Sequence, residues 1–127
     1  MIYTSYISNL KNIPDNYYKL IITRYNKINP KNFNNCFHAA VLSPNEQLLK
    51  EFKNGEISYQ EFYDRFLKQV YNDNFAKDVI KKILDYDRKD LNVVLLCYEK
   101  DLKDCHRCIV GKILERNGGR VKYEIQT

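Results

Sequence analysis

Four stretches of the chain have the apolar and β-branched density of strands, and they differ in how polar positions are interleaved. Ile2 to Tyr6 (IYTSY) and Tyr18 to Arg24 (YKLIITR) mix aromatic and β-branched residues. Asn92 to Glu99 (NVVLLCYE) is an almost unbroken apolar run, the pattern of a strand buried on both faces of a parallel sheet. Arg120 to Gln126 (RVKYEIQ) alternates, which predicts an edge strand with one face in solvent.

Between and after these lie helical periods with start and stop signals. Ser43-Pro44-Asn45-Glu46 reads as a capping box with proline at the first helical position, opening a helix to about Lys53 that Asn54-Gly55 stops. Ser58-Tyr59-Gln60-Glu61 is a second box, and the helix behind it spaces Phe62, Phe66, Leu67 and Val70 by three and four. A third helix from about Phe75 carries Val79, Ile80, Ile83 and Leu84. A fourth, from near Asp104, carries Ile109, Val110, Ile113 and Leu114 and ends at Asn117-Gly118-Gly119. Asn26 to Asn35 (NKINPKNFNN) reads as a long surface loop.

The order is two strands, a loop, three helices, then strand-helix-strand, the last unit being a crossover of the right-handed kind. It predicts a single α/β domain over residues 1–127: a small, mainly parallel sheet of about four strands flanked by about four helices, Rossmann-like and three-layered.

Length and composition narrow this little further. A chain of 127 residues, 44% apolar and 29% charged, buries a core without staples. No run approaches the roughly eighteen apolar residues of a membrane span, so no membrane partner is expected. The opening MIYTSYISNLKNIP lacks the basic and long apolar regions of a signal peptide, and a cytoplasmic protein is expected. The four cysteines, Cys36, Cys97, Cys105 and Cys108, are then expected as reduced thiols. A net charge of +5 admits attraction to nucleotides or nucleic acid, although the basic residues are interleaved with acids and form no block.

Candidate chemistry concentrates in Cys97 to Cys108 (CYEKDLKDCHRC). Cys97 ends the most buried strand, and ligands of open α/β sheets bind outside the carboxyl ends of the strands. With the next helix starting near Asp104, Cys105, His106 and Arg107 fall in its first turn, where free N–H groups favour anions. Cys97, Glu99, Cys105, His106 and Arg107 thus share one rim, and Arg24 joins them if its strand is a parallel neighbour. Each member also has a plain structural reading: Cys97 and Cys108 as small core residues, His106 as an exposed first-turn residue, Arg107 as a partner of Asp104 or Glu99. Cys105-His106-Arg107-Cys108 is a CxxC at a helix start, which suits thiol redox chemistry, but no proline follows Pro44 to supply the opposing strand such sites use. A zinc site would need a second paired motif, and Cys36-Phe37-His38 has the wrong spacing. A phosphatase-type cradle is excluded, because Tyr98 to Lys103 holds no glycine and two carboxylates.

The same stretch, Val93 to Arg107 (VVLLCYEKDLKDCHR), resembles the C-terminal signature of the domain-of-unknown-function family 488, a buried strand ending in Cys-x-Glu followed by Cys-His-Arg on a helix start. Ile2-Tyr3-Thr4-Ser5-Tyr6 is similar to that family's first strand, and Leu42-Ser43-Pro44 with Leu48 to Ile57 is similar to its Leu-x-Pro segment. The resemblance implies site roles for Cys97, Glu99, Cys105, His106 and Arg107, with Ser5 and Arg24 beside them. Ile22-Thr23-Arg24 lacks the acid that commonly precedes the family's arginine, and Cys108 lies outside the pattern.

Two functions follow. One is an enzyme acting on a phosphate-bearing substrate, a nucleotide or nucleic acid. Glu99 and His106 would be acid and base, Cys97 or Cys105 the nucleophile, and Arg107, Arg24 and Ser5 the substrate contacts; no cofactor and no metal ion is expected. The other is a non-catalytic nucleic-acid or protein binding module using a surface rich in the chain's eleven tyrosines. Redox chemistry at Cys105 and Cys108 is a lesser alternative, and the oligomeric state is left open.

Overall fold

The computed structural model describes residues 1–98 and 106–124. Its organising element is the strand at Val93–Cys97, buried at all five positions. Side chains of a strand alternate between faces, so an apolar run belongs where both faces are covered. Val93, Leu95 and Cys97 join one apolar cluster, and Val94 and Leu96 join another on the opposite face.

The strands in chain order are β1 (Ile2–Tyr6), β2 (Tyr18–Ile21), β3 (Cys36–His38), β4 (Val93–Cys97) and β5 (Val121–Lys122). They form one sheet in the order β3-β2-β4-β1-β5, with every neighbouring pair parallel. The register sets Tyr6 beside Cys97 and Ile21 beside Leu96. The helices are α1 (Glu46–Lys53), α2 (Tyr59–Tyr71), α3 (Asn74–Arg88) and α4 (His106–Arg116). All four contribute to the cluster containing Leu95 and Cys97. The other face is covered by a 3-10 helix at Ile7–Asn12, which buries Ile7 and Leu10, together with Ile13 and the loop residues Tyr17, Ile28 and Phe33.

The result is the expected α/β domain of three layers, with layers of very unequal thickness. Connections that step from β1 to β2 to β3 run over one face. Those that step the other way, β3 to β4 to β5, run over the opposite face. A single handedness of parallel crossover requires this division.

Local signals explain most boundaries. Ser58 Oγ accepts from Glu61 N at 3.1 Å, and Asp73 Oδ1 caps Phe75 and Ala76. At the end of α4, Gly118 takes φ +91° while Gly119 N donates to Leu114 O and Gly118 N to Glu115 O. This is the left-handed glycine closure of a helix C-terminus. Gly111 on α4 serves a different need: a Cβ there would lie 2.7 Å from the ring of Tyr123, which packs against it.

Four expectations change. The α1 cap is Asn45, whose Oδ1 accepts from Leu48 N at 2.8 Å, not Ser43. Ser43 is instead buried, and its carbonyl accepts from Gln69 Nε2 at 2.8 Å. The sheet has a fifth strand, β3, immediately after the asparagine-rich loop, entered through Asn35 at φ 53°. The strand at Tyr18 stops at Ile21 instead of Arg24, for a reason found in the site below. The edge strand expected over Arg120 to Gln126 shortens to β5 at Val121–Lys122, because the chain turns at Tyr123 and Glu124, the latter at φ 61°; residues 125–127 lie outside the described ones.

Candidate functional site

The carboxyl ends of β2 and β4 open into a crevice of about 330 Å³. One wall is the segment after β2, which presents Thr23, Arg24, Tyr25 and Lys27. The opposite wall is Ser43 with Leu49 and Lys53 of α1, and Tyr98 and His106 close the end beside β4. Gln69 of α2 fixes the second wall by a double contact. Its amide nitrogen donates to Ser43 O and its amide oxygen accepts from Asn45 N, each at 2.8 Å.

The first wall is held by both of the chain's histidines. His106 Nε2 donates to Ile22 O, and His38 Nε2 donates to Thr23 O at 2.7 Å. Thr23 Oγ1 in turn donates to Tyr25 O at 2.7 Å. Two successive carbonyls that a longer β2 would have offered to a ladder are thus taken by imidazoles. The strand therefore ends at Ile21, and the chain turns to expose Arg24. Lys27 N donates to Tyr98 Oη at 2.7 Å, tying the far end of this wall to β4.

His106 forms part of the crevice and is itself almost fully buried. Its ring meets Phe66 of α2 edge to face, with centroids 5.7 Å apart and planes at 89°. Cys97 Sγ lies behind it, 3.8 Å from Nδ1 and 3.6 Å from Nε2. Nε2 is committed to Ile22 O, and the sulfur lies against the ring, near both nitrogens, without selecting Nδ1. Cys97 has no solvent exposure, so the imidazole stands between the sulfur and the crevice.

The crevice is positively charged. Arg24, Lys27 and Lys53 line it, and among the described residues none of the three has an ion-pair partner. Arg24 and His106 meet at this crevice because β2, which precedes Arg24, is the parallel neighbour of β4. Arg107, next along α4, is placed otherwise. It is fully buried, and its Nε and Nη2 meet the two oxygens of Glu124 at 3.1 and 3.3 Å. Glu124 adopts φ 61° and exchanges two bonds with Thr4, its N donating to Oγ1 at 2.7 Å and its Oε1 accepting at 2.8 Å. A substrate anion at Arg107 would have to displace this carboxylate. Ser5 is buried on the opposite face of the sheet, where its hydroxyl accepts from Asn9 Nδ2 at 3.1 Å. Glu99 and Cys105 lie outside the described residues.

Neither of the other two described thiols lines the crevice. Cys36 is buried on the far face, and burial pushes its thiol up despite the nearby Lys19 ammonium. Cys108 is half-buried on α4. Among the described residues no three His, Cys, Asp or Glu side chains converge as a metal site would.

Sequence reasoning passes over Lys27, Lys53 and Tyr98, and weighs His38 only as a zinc ligand. Nothing distinguishes two lysines in a lysine-rich chain, and the exposed ring of Tyr98 looks apolar in sequence. The profile of the DUF488-N3a family, described as the active DUF488-N3 subclade, matches residues 11–118. No curated protein and no solved structure matches the chain.

Proposed function

The chain belongs to the DUF488-N3a family, and from that premise we propose that it is an enzyme acting on a phosphate-bearing substrate, a nucleotide or nucleic acid, in the crevice at the carboxyl end of its sheet. The observation that carries the proposal is the set of three cations, Arg24, Lys27 and Lys53, around a concavity with His106 at its end. An anion with several oxygens suits such a set, because charge-assisted contacts are stronger than neutral ones and arginine grips phosphate in two places.

In this reading Arg24, Lys27 and Lys53 hold the phosphate and Tyr25 and Tyr98 flank what it is attached to. His106 moves the proton: its orientation is fixed by Ile22 O and Phe66, and Cys97 sits against its ring. Glu99 and Cys105, the second acid–base group and the nucleophile of the proposal, belong to residues 99–105, which connect Tyr98 to His106 in the chain. Arg107 fixes the start of α4 through Glu124, and Ser5 supports the end of β1.

The burial of Cys97 favours a second reading, a binding module that uses the same crevice without chemistry. Titration with nucleoside phosphates and short single-stranded oligonucleotides, paired with a turnover assay, separates the two. His106→Gln retains a donor for Ile22 O; it is expected to abolish turnover while leaving affinity within about threefold, and turnover unchanged in that variant sinks the catalytic reading. Arg24→Ala is expected to weaken binding about tenfold, a charge-assisted contact being worth about 1.5–3 kcal/mol. Binding unaffected by Arg24→Ala and Lys53→Ala together sinks both readings.

A further inference from the structure

A second concavity, of about 620 Å³, lies beside α3 and shares no lining residue with the cation crevice. Its walls are apolar, formed by Tyr18, Leu20 and Val93 of the sheet and by Val79, Ile83 and Tyr86 of α3. Two rings at its lips are left in water: Phe37 on β3, 52% exposed, and Phe75 at the start of α3, 76% exposed. β3 is also an outer strand of the sheet. Projecting rings next to an apolar hollow form a surface able to fill its own kind, which is what a two-fold contact between identical chains requires.

The charges on α3 specify how. Asp78 and Lys82 are exposed on the groove side of the helix, and among the described residues neither has an ion-pair partner. They are of opposite sign and equidistant in sequence from Ile80. We propose that a second copy of this chain docks here, with the two α3 helices antiparallel and crossing at the level of Ile80, whose own side chain stays in the core. Asp78 of each copy then meets Lys82 of the other, twice over. In that register Phe75 of one copy comes level with Asp85 of the other, beside Ile83 and Tyr86, where the groove is lined by Tyr18 and Val93. One arrangement thus pairs both charges and covers the Phe75 ring, using none of the residues that line the cation crevice.

The test is self-association of the whole chain, read by sedimentation equilibrium and light scattering across a concentration series. The wild-type protein is expected to dimerise, and Phe75→Glu, at an exposed position, to remain folded by circular dichroism and become monomeric. Asp78→Lys and Lys82→Asp are each expected to raise the dimer dissociation constant about tenfold or more, and the double exchange Asp78→Lys with Lys82→Asp to return it to within about threefold of wild type. A monomer at about 100 μM, a dimer indifferent to Phe75→Glu, or a double exchange no better than the singles overturns the proposal. A groove that takes up an apolar peptide while the chain stays monomeric does so too.

Discussion

The two ends of the sheet handle charge in opposite ways. At the amino end, Asp87 of α3 is buried and draws in two cations, Arg120 and the Met1 ammonium. Arg120 reaches it through Nε at 3.1 Å and its backbone N at 3.0 Å, and the Met1 ammonium lies 2.8 Å away. Arg120 also donates to Asp90 at 3.0 Å. At the carboxyl end, Arg24, Lys27 and Lys53 line a cavity with no carboxylate among its described lining residues. A paired charge in a buried setting holds chain segments together. Cations gathered without a counter-ion repel one another, and they gain most from an anion brought in from outside. Arg107 belongs with the first group, although it sits beside the second.

The sharpest break of this contrast is Asp87→Ala. Removing the buried carboxylate takes away three contacts to it at once, from Arg120 N, Arg120 Nε and the Met1 ammonium, and is expected to lower stability by about 3 kcal/mol, with a fall in Tm on the order of 10 °C, measured by thermal and urea unfolding. Arg107→Ala comes next, at about 2–3 kcal/mol in urea, because a fully buried side chain and its contact with Glu124 are lost together. An Arg107→Ala protein that unfolds like wild type but no longer binds nucleotides would move Arg107 into the substrate group.

Acid sharpens the same contrast. Burial alone would push Asp87 up, but the Met1 ammonium and Arg120 outweigh it and hold the carboxyl below its ordinary 3.8. A depressed folded value means the group stabilises the fold above its unfolded value, and that contribution is lost as pH falls through the folded one. Wild-type stability is thus expected to decline below about pH 4, with a shallower decline in Asp87→Asn, measured by urea midpoints across the acid range. The smallest effect belongs to the other end. Arg24→Ala and Lys53→Ala should change stability by no more than about 0.5 kcal/mol, and nucleotide affinity of the wild type should weaken as salt shortens the Debye length.

The central architecture is readable in the sequence where the signal is redundant. The run at Val93–Cys97 marks a central strand because no other position buries both faces, and Phe62, Phe66 and Val70 mark α2 by spacing and cap together. β3 escapes notice because three residues between Asn35 and Ala39, two of them exposed, carry almost no burial pattern. The early end of β2 depends on His38 and His106, which meet its carbonyls from 15 and 84 residues away. Of the site positions, Arg24 and His106 follow from the strand-end rule once β2 and β4 are neighbours. The Glu124 contact of Arg107 rests on a left-handed backbone in what reads as an alternating strand, and no local pattern signals that.

The sheet order has a consequence for how the molecule comes to exist. β1 and β2 follow one another in the chain but never touch as a pair, since β4 lies between them and hydrogen-bonds to both. A growing chain therefore carries two strands with open edges until more than ninety residues have been made, and both edges close only when β4 arrives. Pairings this distant in sequence are slow, and open edges invite association with other chains. The wall of the crevice closes later still, because His106 follows β4 and completes the hold on Ile22 O. A ligand that needs that crevice recognises only a finished molecule and stabilises that state alone.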